Sequence, residues 1–547
     1  MTIEQTTGEG PAGAPPIQAA AGPAAGETAQ IARAAGVLAL GNIASRVLGL
    51  ARETVTSHLF GAGALVDAYG VATVVPRMLY DLLIGGMVNG ALVPVFSEYA
   101  ERDRAELWRL VSAFLSLTVG ILAAVVLLAE AFAPLISTFI LAEHTPETQA
   151  LGARLLRLTL PAVLFLSLSG ALSGLLYALK RFTLPAFTAA VFNAAIVVSA
   201  LALHRQIGIT ALALGMLVGS ILQVVLQLPG LRDSSIRLGL HLWHPGLKQV
   251  GLLYVPTLIP LIFDVGLSRP ISYALAAQTG EGGISYLNYA TLLVQLPQGL
   301  VATAISMAVL PTLSAYAARE SRGEGGGEFE RTLARGLRLV VTLILPASVG
   351  LFVLAHPTVA LLYGHGNFTP ADTTMTAAAL RFYLLGLPFA AVDLLLVYTF
   401  YARQDTLTPS LIGIGTIVAY LLLAVALLPS FGLFSLMIAD SVKHMLHTLL
   451  SALFLRRRLG RGGSQGVYRT LWLVIVAVSV MGLAAYGALR GVEALFPAGG
   501  GLAELLAVLV PGLLGAAIYL GLVTLLGVEE IRLLWGTLRQ RLTGARG

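Results

Sequence analysis

The 547-residue chain has no cysteine, three lysines and a charged fraction of only 11%. Without thiols it can form neither disulfides nor thiolate metal sites, and it has no cysteine nucleophile. None of the lysines (Lys180, Lys248, Lys443) follows a glycine. There is therefore no Walker A loop, and ATP hydrolysis by this chain is excluded. An average soluble domain is roughly 25% charged. Together with 57% hydrophobic residues and a mean hydropathy of +0.84, that shortfall excludes a soluble enzyme, a secreted disulfide scaffold and a nucleic-acid-binding domain. Residues 1–30 are rich in Ala, Gly, Pro and Thr and contain no Lys or Arg. They lack the charged and apolar regions of a signal peptide and read as a disordered cytoplasmic tail.

What the chain does have is long apolar runs, each near the roughly 20 residues that a helix needs to cross a bilayer. Runs and breakers give about fourteen spans: 34–58, 66–96, 107–133, 149–178, 183–204, 207–230, 247–278, 284–316, 331–356, 371–401, 408–428, 431–455, 468–490 and 503–527. Basic residues alternate with this count. One set of connections carries Arg102, Arg104 and Arg109, Lys180 and Arg181, Arg232, Arg237 and Lys248. The same set continues with Arg319, Arg322, Arg331, Arg335 and Arg403, then Arg456 to Arg458, Arg461, Arg539, Arg541 and Arg546. The other set (59–65, 134–148, 279–283, 357–370, 429–430) has none, and only Arg205 and Arg490 intrude on that side. The positive-inside rule then requires an even number of spans with both termini in the cytoplasm.

The chain also repeats itself. Pro94 and Tyr99 of VPVFSEY recur as Pro311 and Tyr316 of LPTLSAY, at one common offset. LYALKRFTLPAF (Leu176 to Phe187) recurs as FYARQDTLTPSL (Phe400 to Leu411), with Tyr177 and Pro185 matched by Tyr401 and Pro409 at a slightly longer offset. Six spans per repeat leave both halves facing the same way, with a site expected at their interface near the midplane. The expected fold is an all-α polytopic membrane protein, with two parallel-repeat six-helix lobes around a central cavity and two added C-terminal helices. The division is a tail at 1–30, an N-terminal lobe at 31–230, a cytoplasmic linker at 231–246, a C-terminal lobe at 247–457, and the last two helices with a cytoplasmic segment at 458–547.

Ionisable groups within spans cost roughly 2.5–3.5 kcal/mol each on insertion scales and usually face a cavity. The first span carries Arg46, Arg52 and Glu53, and the second carries Asp67, Arg77 and Asp81. Arg46 lies roughly 18 Å into its span at the helical rise, too deep for a surface-snorkelling anchor, so Arg46 and Arg52 are expected to face an aqueous cavity. Arg52 and its neighbour Glu53 are expected to point in different directions. Guanidinium groups lining a cavity suit an anionic, phosphate-bearing substrate. Asp264 and Arg269 fall in the seventh span and Arg381 and Asp393 in the tenth. Asp264 and Asp393 are candidates for Na+ or H+ coupling, with helix-to-helix hydrogen bonding as the equal alternative. Asp440 and Lys443 read equally as an i,i+3 structural pair. His444 and His447 read as polar helix contacts rather than metal ligands. GxxxG spacings such as Gly215/Gly219 favour close helix approach. Gly8, Gly10 and Gly13 (GxGxxG), and Gly462, Ser464 and Gly466 (GxSxG), lack the strand context that those motifs require.

SRVLGLARE (Ser45 to Glu53), FGAG (Phe60 to Gly63), DAY (Asp67 to Tyr69), VPVFSEY, LYGHGNFTPADT (Leu362 to Thr373) and FYARQDTLTP (Phe400 to Pro409) together resemble the MurJ (MviN) family of the multidrug/oligosaccharidyl-lipid/polysaccharide exporter superfamily. The resemblance runs from about residue 34 to the C-terminus. It implies fourteen helices and the flipping of lipid II, a polyprenyl-pyrophosphate-linked glycan, from the inner to the outer leaflet of a bacterial cytoplasmic membrane. The family's first-helix arginines and second-helix aspartate match Arg46, Arg52 and Asp67. Two further family arginines align with Tyr80 and Leu292, and an acidic position aligns with Gly85; Arg77 or Arg269 would supply the missing charge. The expected substrate-binding set is thus Arg46, Arg52, Asp67, Arg77 and Arg269. No cofactor, metal or nucleic-acid partner is expected beyond a possible Na+ or H+, and the partners are lipid II and membrane lipids around a monomer. The alternatives are a carrier of another polyprenyl-linked glycan, a drug or cation antiporter of the same superfamily, an intramembrane enzyme acting on polyprenyl phosphates, and a transport-inactive scaffold.

Overall fold

The computed structural model describes residues 25–237, 239, 242–324, 326–459, 466–496 and 500–531. The two glycine decoys Gly8–Gly13 and Gly462–Ser464, most of the tail, and Arg461, Arg539, Arg541 and Arg546 lie outside those residues. Among the described residues fourteen long helices succeed one another. They are α1 (Ala25–Phe60), α2 (Ala64–Arg102), α3 (Arg104–Ile140), α4 (Pro146–Ala178), α5 (Thr188–Ile207), α6 (Thr210–Leu231) and α7 (Pro245–Ala277). Then come α8 (Gly283–Glu320), α9 (Glu328–Val353), α10 (Pro370–Ala402), α11 (Leu407–Phe431), α12 (Phe434–Leu459), α13 (Val467–Leu495) and α14 (Gly501–Leu525). Twelve of them are long and apolar enough to cross a membrane by length and composition. The remaining two, α1 and α12, have 36 and 26 residues and carry charged side chains along their length. Helix α1 starts at Ala25, so the last residues of the expected tail are helical.

Local chemistry sets several boundaries. Asp103 caps α3 by accepting from the Ala105 N–H at 2.7 Å, and Thr145 caps α4 just before Pro146 at the first helical position. Helix α10 opens with a capping box in which Thr369 and Asp372 satisfy each other's backbone N–H groups. Four stretches widen to π-type turns: Asp81–Gly85 and Val88–Leu92 in α2, Ile262–Ser268 in α7, and Gln298–Thr303 in α8. Such turns leave i→i−4 partners unmet and are frequent at functional sites.

Helices α1 to α6 pack on one another through α1 on α5, α2 on α4, and α5 on α6. At Gly215 an added Cβ would lie 2.8 Å from the Ile196 Cα, so the expected close approach occurs between α5 and α6. The second group packs through α9 on α10, α10 on α12 and α11 on α12, and the α13–α14 pair lies against α9. Helix α7 touches both groups. Its Val250 and Tyr254 join an apolar cluster with α2, α3 and α4, while Leu275 to Ala277 belong to the main core.

The repeat is visible in the backbone. The two non-glycine residues with positive φ among the described residues are Lys180 and Gln404, both at φ 60° and set apart by the same interval as Tyr177 and Tyr401. Each follows a helix end at which an N–H reaches back past one helical turn, Arg181 to the Leu176 carbonyl and Asp405 to the Phe400 carbonyl. Gly208 and Gly432, separated by that interval again, close α5 and α11 at φ 57° and 52°. The π turn at Asp81 recurs at Gln298, by the offset that relates Pro94 to Pro311.

Candidate functional site

A cavity of about 640 Å³ lies between the two groups, walled by α1 and α2 on one side and by α7, α8, α10, α11 and α12 on the other. Its charged lining is balanced. Arg52, Arg77, Arg269 and Lys443 face it, and so do Glu53, Asp81, Asp264 and Asp440. Most of these groups pair with each other. Arg52 folds back onto Glu53, with Nε 3.1 Å from Oε1, and donates from Nη1 to the Asn193 Oδ1 at 3.0 Å. The expectation that Arg52 and Glu53 diverge therefore fails. Adjacent Cα atoms are only about 3.8 Å apart, and a flexible guanidinium arm easily spans that gap. Arg269 reaches across to Asp81 at 2.8 Å, joining α7 to α2. Lys443 lies 2.5 Å from Asp440 and 5.4 Å from the Tyr420 ring centroid, with His444 Nε2 3.7 Å from the same carboxylate. Among the described residues, Arg77 and Asp264 are the two charged lining groups with no ion pair or hydrogen bond.

The structure brings together Arg52, Arg77, Arg269 and Asp264 but puts the other three candidates elsewhere. Arg46 donates to the Gln295 carbonyl at 3.1 Å, and its guanidinium lies on Gly299, where a Cβ would collide with Nη2. It bridges α1 to α8 beside the cavity rather than lining it. Asp393 is held by His447 Nδ1 at 2.5 Å, and that histidine's Nε2 lies 3.3 Å from the Pro409 carbonyl. This bond pins α12 to α10 and α11. His447 is thus a polar helix contact, as the sequence suggested, whereas His444 faces the cavity beside Asp440 of its own helix.

Asp67 is fully buried at the end of the bundle whose loops lack Lys and Arg. Its carboxylate accepts from the Gly282 N–H (2.7 Å), the Ser285 N–H (2.9 Å), the Ser285 hydroxyl (2.7 Å) and His144 Nε2 (3.1 Å). The Gly282 and Ser285 donors sit at the N-terminus of α8, where unsatisfied N–H groups and the helix dipole favour an anion. Asp67 is therefore a clasp between the two groups rather than a cavity wall. The neighbouring motifs do similar work. Asn367 caps the end of α1, its N–H bonding the His58 carbonyl at 3.0 Å and its Nδ2 the Leu59 carbonyl at 2.6 Å. At Gly61, with φ 72°, a Cβ would stand 2.5 Å from the Asn367 carbonyl oxygen, so this contact requires glycine. Tyr289 donates to the Gly61 carbonyl at 2.9 Å and clusters with Tyr363 and Phe368. Tyr286 donates to Asp372 at 2.6 Å. FGAG, DAY and LYGHGNFTPADT thus converge to shut one end of the cavity.

Tyr80 packs against Gly170 of α4, and Leu292 is an apolar patch of the cavity wall. Sequence reasoning named Asp81 without a role, left Lys443 open between a structural pair and function, read His444 as a helix contact, and missed His144 at the clasp. Outside the spans, Asp233 in the α6–α7 connection forms a two-pronged pair with Arg181, both contacts 2.7 Å, which draws its carboxyl below the usual range.

Two repeated six-helix groups enclosing a polar cavity, closed at one end by bonds between the groups, define a membrane transporter rather than an enzyme. The chain belongs to the MurJ family: the family model described as lipid II flippase MurJ matches residues 56–506. A lipid II flippase MurJ from Burkholderia cenocepacia is 33% identical over 429 residues, covering 76% of this chain and 81% of that protein. A probable lipid II flippase MurJ from Bdellovibrio bacteriovorus is 29% identical over 517 residues, covering 92% and 96%. A solved structure of lipid II flippase MurJ in an inward closed conformation superposes with a TM-score of 0.74 at 23% identity, covering 89% of this chain and 98% of that one. An inward-facing multidrug resistance MATE family transporter shares the fold with a TM-score of 0.67 at 15% identity, covering 77% and 96%. The chain is an integral membrane protein.

Proposed function

We propose that this protein flips lipid II, a polyprenyl-pyrophosphate-linked glycan, from the inner to the outer leaflet of a bacterial cytoplasmic membrane, as a monomer with both termini inside. The observation that carries the reading is Arg77, a guanidinium that faces the cavity without a partner among the described residues, in a wall that also holds Arg52 and the half-exposed Arg269. An unpaired guanidinium in a walled cavity is a ready site for a phosphate, which it can bind through two parallel N–H donors. The basic loops support the orientation, and the clasped end is then the outer one.

No nucleotide loop is present, so the membrane potential is the natural drive. One elementary charge crossing 100 mV is worth about 2.3 kcal/mol, and a doubly charged pyrophosphate moving outward would gain about 4–5 kcal/mol. Asp264, the unpaired carboxylate, is the group from which a returning Na+ or H+ would reset the empty carrier. Asp393, already bound by His447, is the weaker candidate.

Replacement of an essential lipid II flippase by this gene tests the reading. Rescue is expected from the parent, and loss of rescue from Arg77→Ala and Arg52→Ala at equal expression. Full rescue by both variants would overturn the anion site. Flipping in proteoliposomes at an unchanged rate after collapse of the potential would overturn the energetics.

A further inference from the structure

A second depression of about 430 Å³ lies in the seam between the two helix groups, lined by apolar side chains alone. Helix α2 supplies Val74, Val75 and Met78, the last turns of α3 supply Leu135 and Phe139, and α7 supplies Pro270. Its floor is buried (Val74 and Val75), while Leu135 and Phe139 stand exposed at its rim. Three features make it more than ordinary lipid-facing surface. Val74 lines both this crevice and the charged cavity, so the two adjoin at that side chain. On the opposite wall Pro270 directly follows Arg269, which faces the cavity. Arg77 sits one helical turn beyond Val74, on the face that i,i+3 neighbours share.

We propose that this crevice is the docking site for the first prenyl units of the substrate on the outer-leaflet side, and that the α2–α7 seam is the lateral path by which they leave the cavity. The proposal rests on the flippase reading, because it takes the pyrophosphate to be held by Arg77 and Arg269. A lipid anchored there has its chain attached to the phosphate, and an apolar volume adjoins the cavity behind Val74 and Pro270. The crevice lies towards the clasped end: its α3 residues are the last before the arginine-poor connection at residue 141. Two walls belong to the first helix group and one to the second. When the clasp at Asp67 releases and the groups part, the partition widens and cavity and crevice become one channel. A polyisoprenoid needs no polar partner, and the crevice offers none.

The test uses the full-length protein in nanodiscs with a polyprenyl pyrophosphate carrying a diazirine in its first isoprene unit. Photolysis and peptide mapping should put adducts on residues 74–78 and 135–140. Unlabelled polyprenyl pyrophosphate should compete them away, and Ile136→Trp, which enlarges another α3 side chain of the crevice lining, should cut them at least fivefold. Phe139→Ala, a change at the exposed rim that leaves the packed floor intact, should also reduce them. Competed adducts confined to other helices would overturn the crevice while leaving the flippase reading intact. Equal, uncompeted labelling of the crevice by a diazirine phosphatidylglycerol would overturn it as well, by making the occupant ordinary lipid. Total labelling that is unaffected by Arg77→Ala would instead remove the anion site on which the proposal stands.

Discussion

The two halves of the molecule share a backbone and differ in where they leave a charge. By the offset that relates Pro94 to Pro311, Arg52 of α1 corresponds to Arg269 of α7, and both face the cavity with carboxylate partners. The two unpaired charges have no such counterparts. Arg77 of α2 corresponds to Val294 of α8, and Asp264 of α7 corresponds to Val47 of α1. Asp67, the clasp, corresponds to the buried Ile284. Duplication thus explains the frame and the arginine pair, while the proposed function resides in what the halves do not share. One half contributes a free cation, the other a free anion, and only one half carries the anion that locks them together.

Breaking the clasp should have the largest effect. Asp67→Ala leaves its donors facing a buried gap, and removal of one partner from a buried charged network costs about 3–5 kcal/mol. With no cysteine in the chain, a Thr73→Cys reporter in the cavity wall can be read alone. Its labelling by an impermeant maleimide added outside should rise at least tenfold in the Asp67→Ala background. Unchanged labelling would mean that the other contacts at that end suffice. Next is the cation. Arg77→Ala should lower flipping by about 10–100-fold, the worth of one charged hydrogen-bonding group, whereas Val294→Ala should leave it within about twofold. Equal effects would erase the asymmetry. Asp264→Asn should abolish any dependence of flipping on a Na+ or proton gradient while leaving binding of a pyrophosphate lipid intact, measured by photolabelling. The glycines that end α5 and α11 come next. Each holds a backbone conformation that costs other residues about 1–3 kcal/mol, so Gly208→Ala and Gly432→Ala should both lower the unfolding midpoint in detergent. The smallest change runs the other way. Lys180→Gly and Gln404→Gly relieve left-handed strain worth about 1 kcal/mol each and should raise that midpoint by similar amounts, since their backbones match.

The spans were legible because length and apolarity are properties of a segment alone. The expected limits 371–401 and 408–428, for instance, fall within Pro370–Ala402 and Leu407–Phe431. The repeat was legible from two motifs, and it carried Arg269 as the counterpart of Arg52, a relation that spacing alone could have found. What depth in a span does not reveal is azimuth. Arg46 precedes Arg52 by six positions, about 600° of helical rotation, which turns it some 120° away from its companion. That is enough to send it to Gln295 instead of the cavity. Asp67 was read as a site group because it matches the family's second-helix aspartate, and Asp393 because a carboxylate within a span is costly, but both are met by donors distant in sequence: Ser285 lies 218 residues from Asp67, and His447 lies 54 from Asp393. No local pattern announces such partners. His144 was invisible for the same reason, as a lone histidine in a loop.

The wide turns at Asp81–Gly85 and Gln298–Thr303 have a consequence for what changes the chain can absorb. Each amounts to one residue spliced into a helix without lengthening the rod by a full turn. Deleting the extra residue would restore regular winding with the helix beyond it at nearly its present azimuth, whereas a deletion from a regular stretch would swing everything beyond it by about 100°. The wide turns are therefore places where α2 and α8 could each shorten by one residue while Arg77 stays in phase with the packed Phe96, and Ser285 with the buried Leu313.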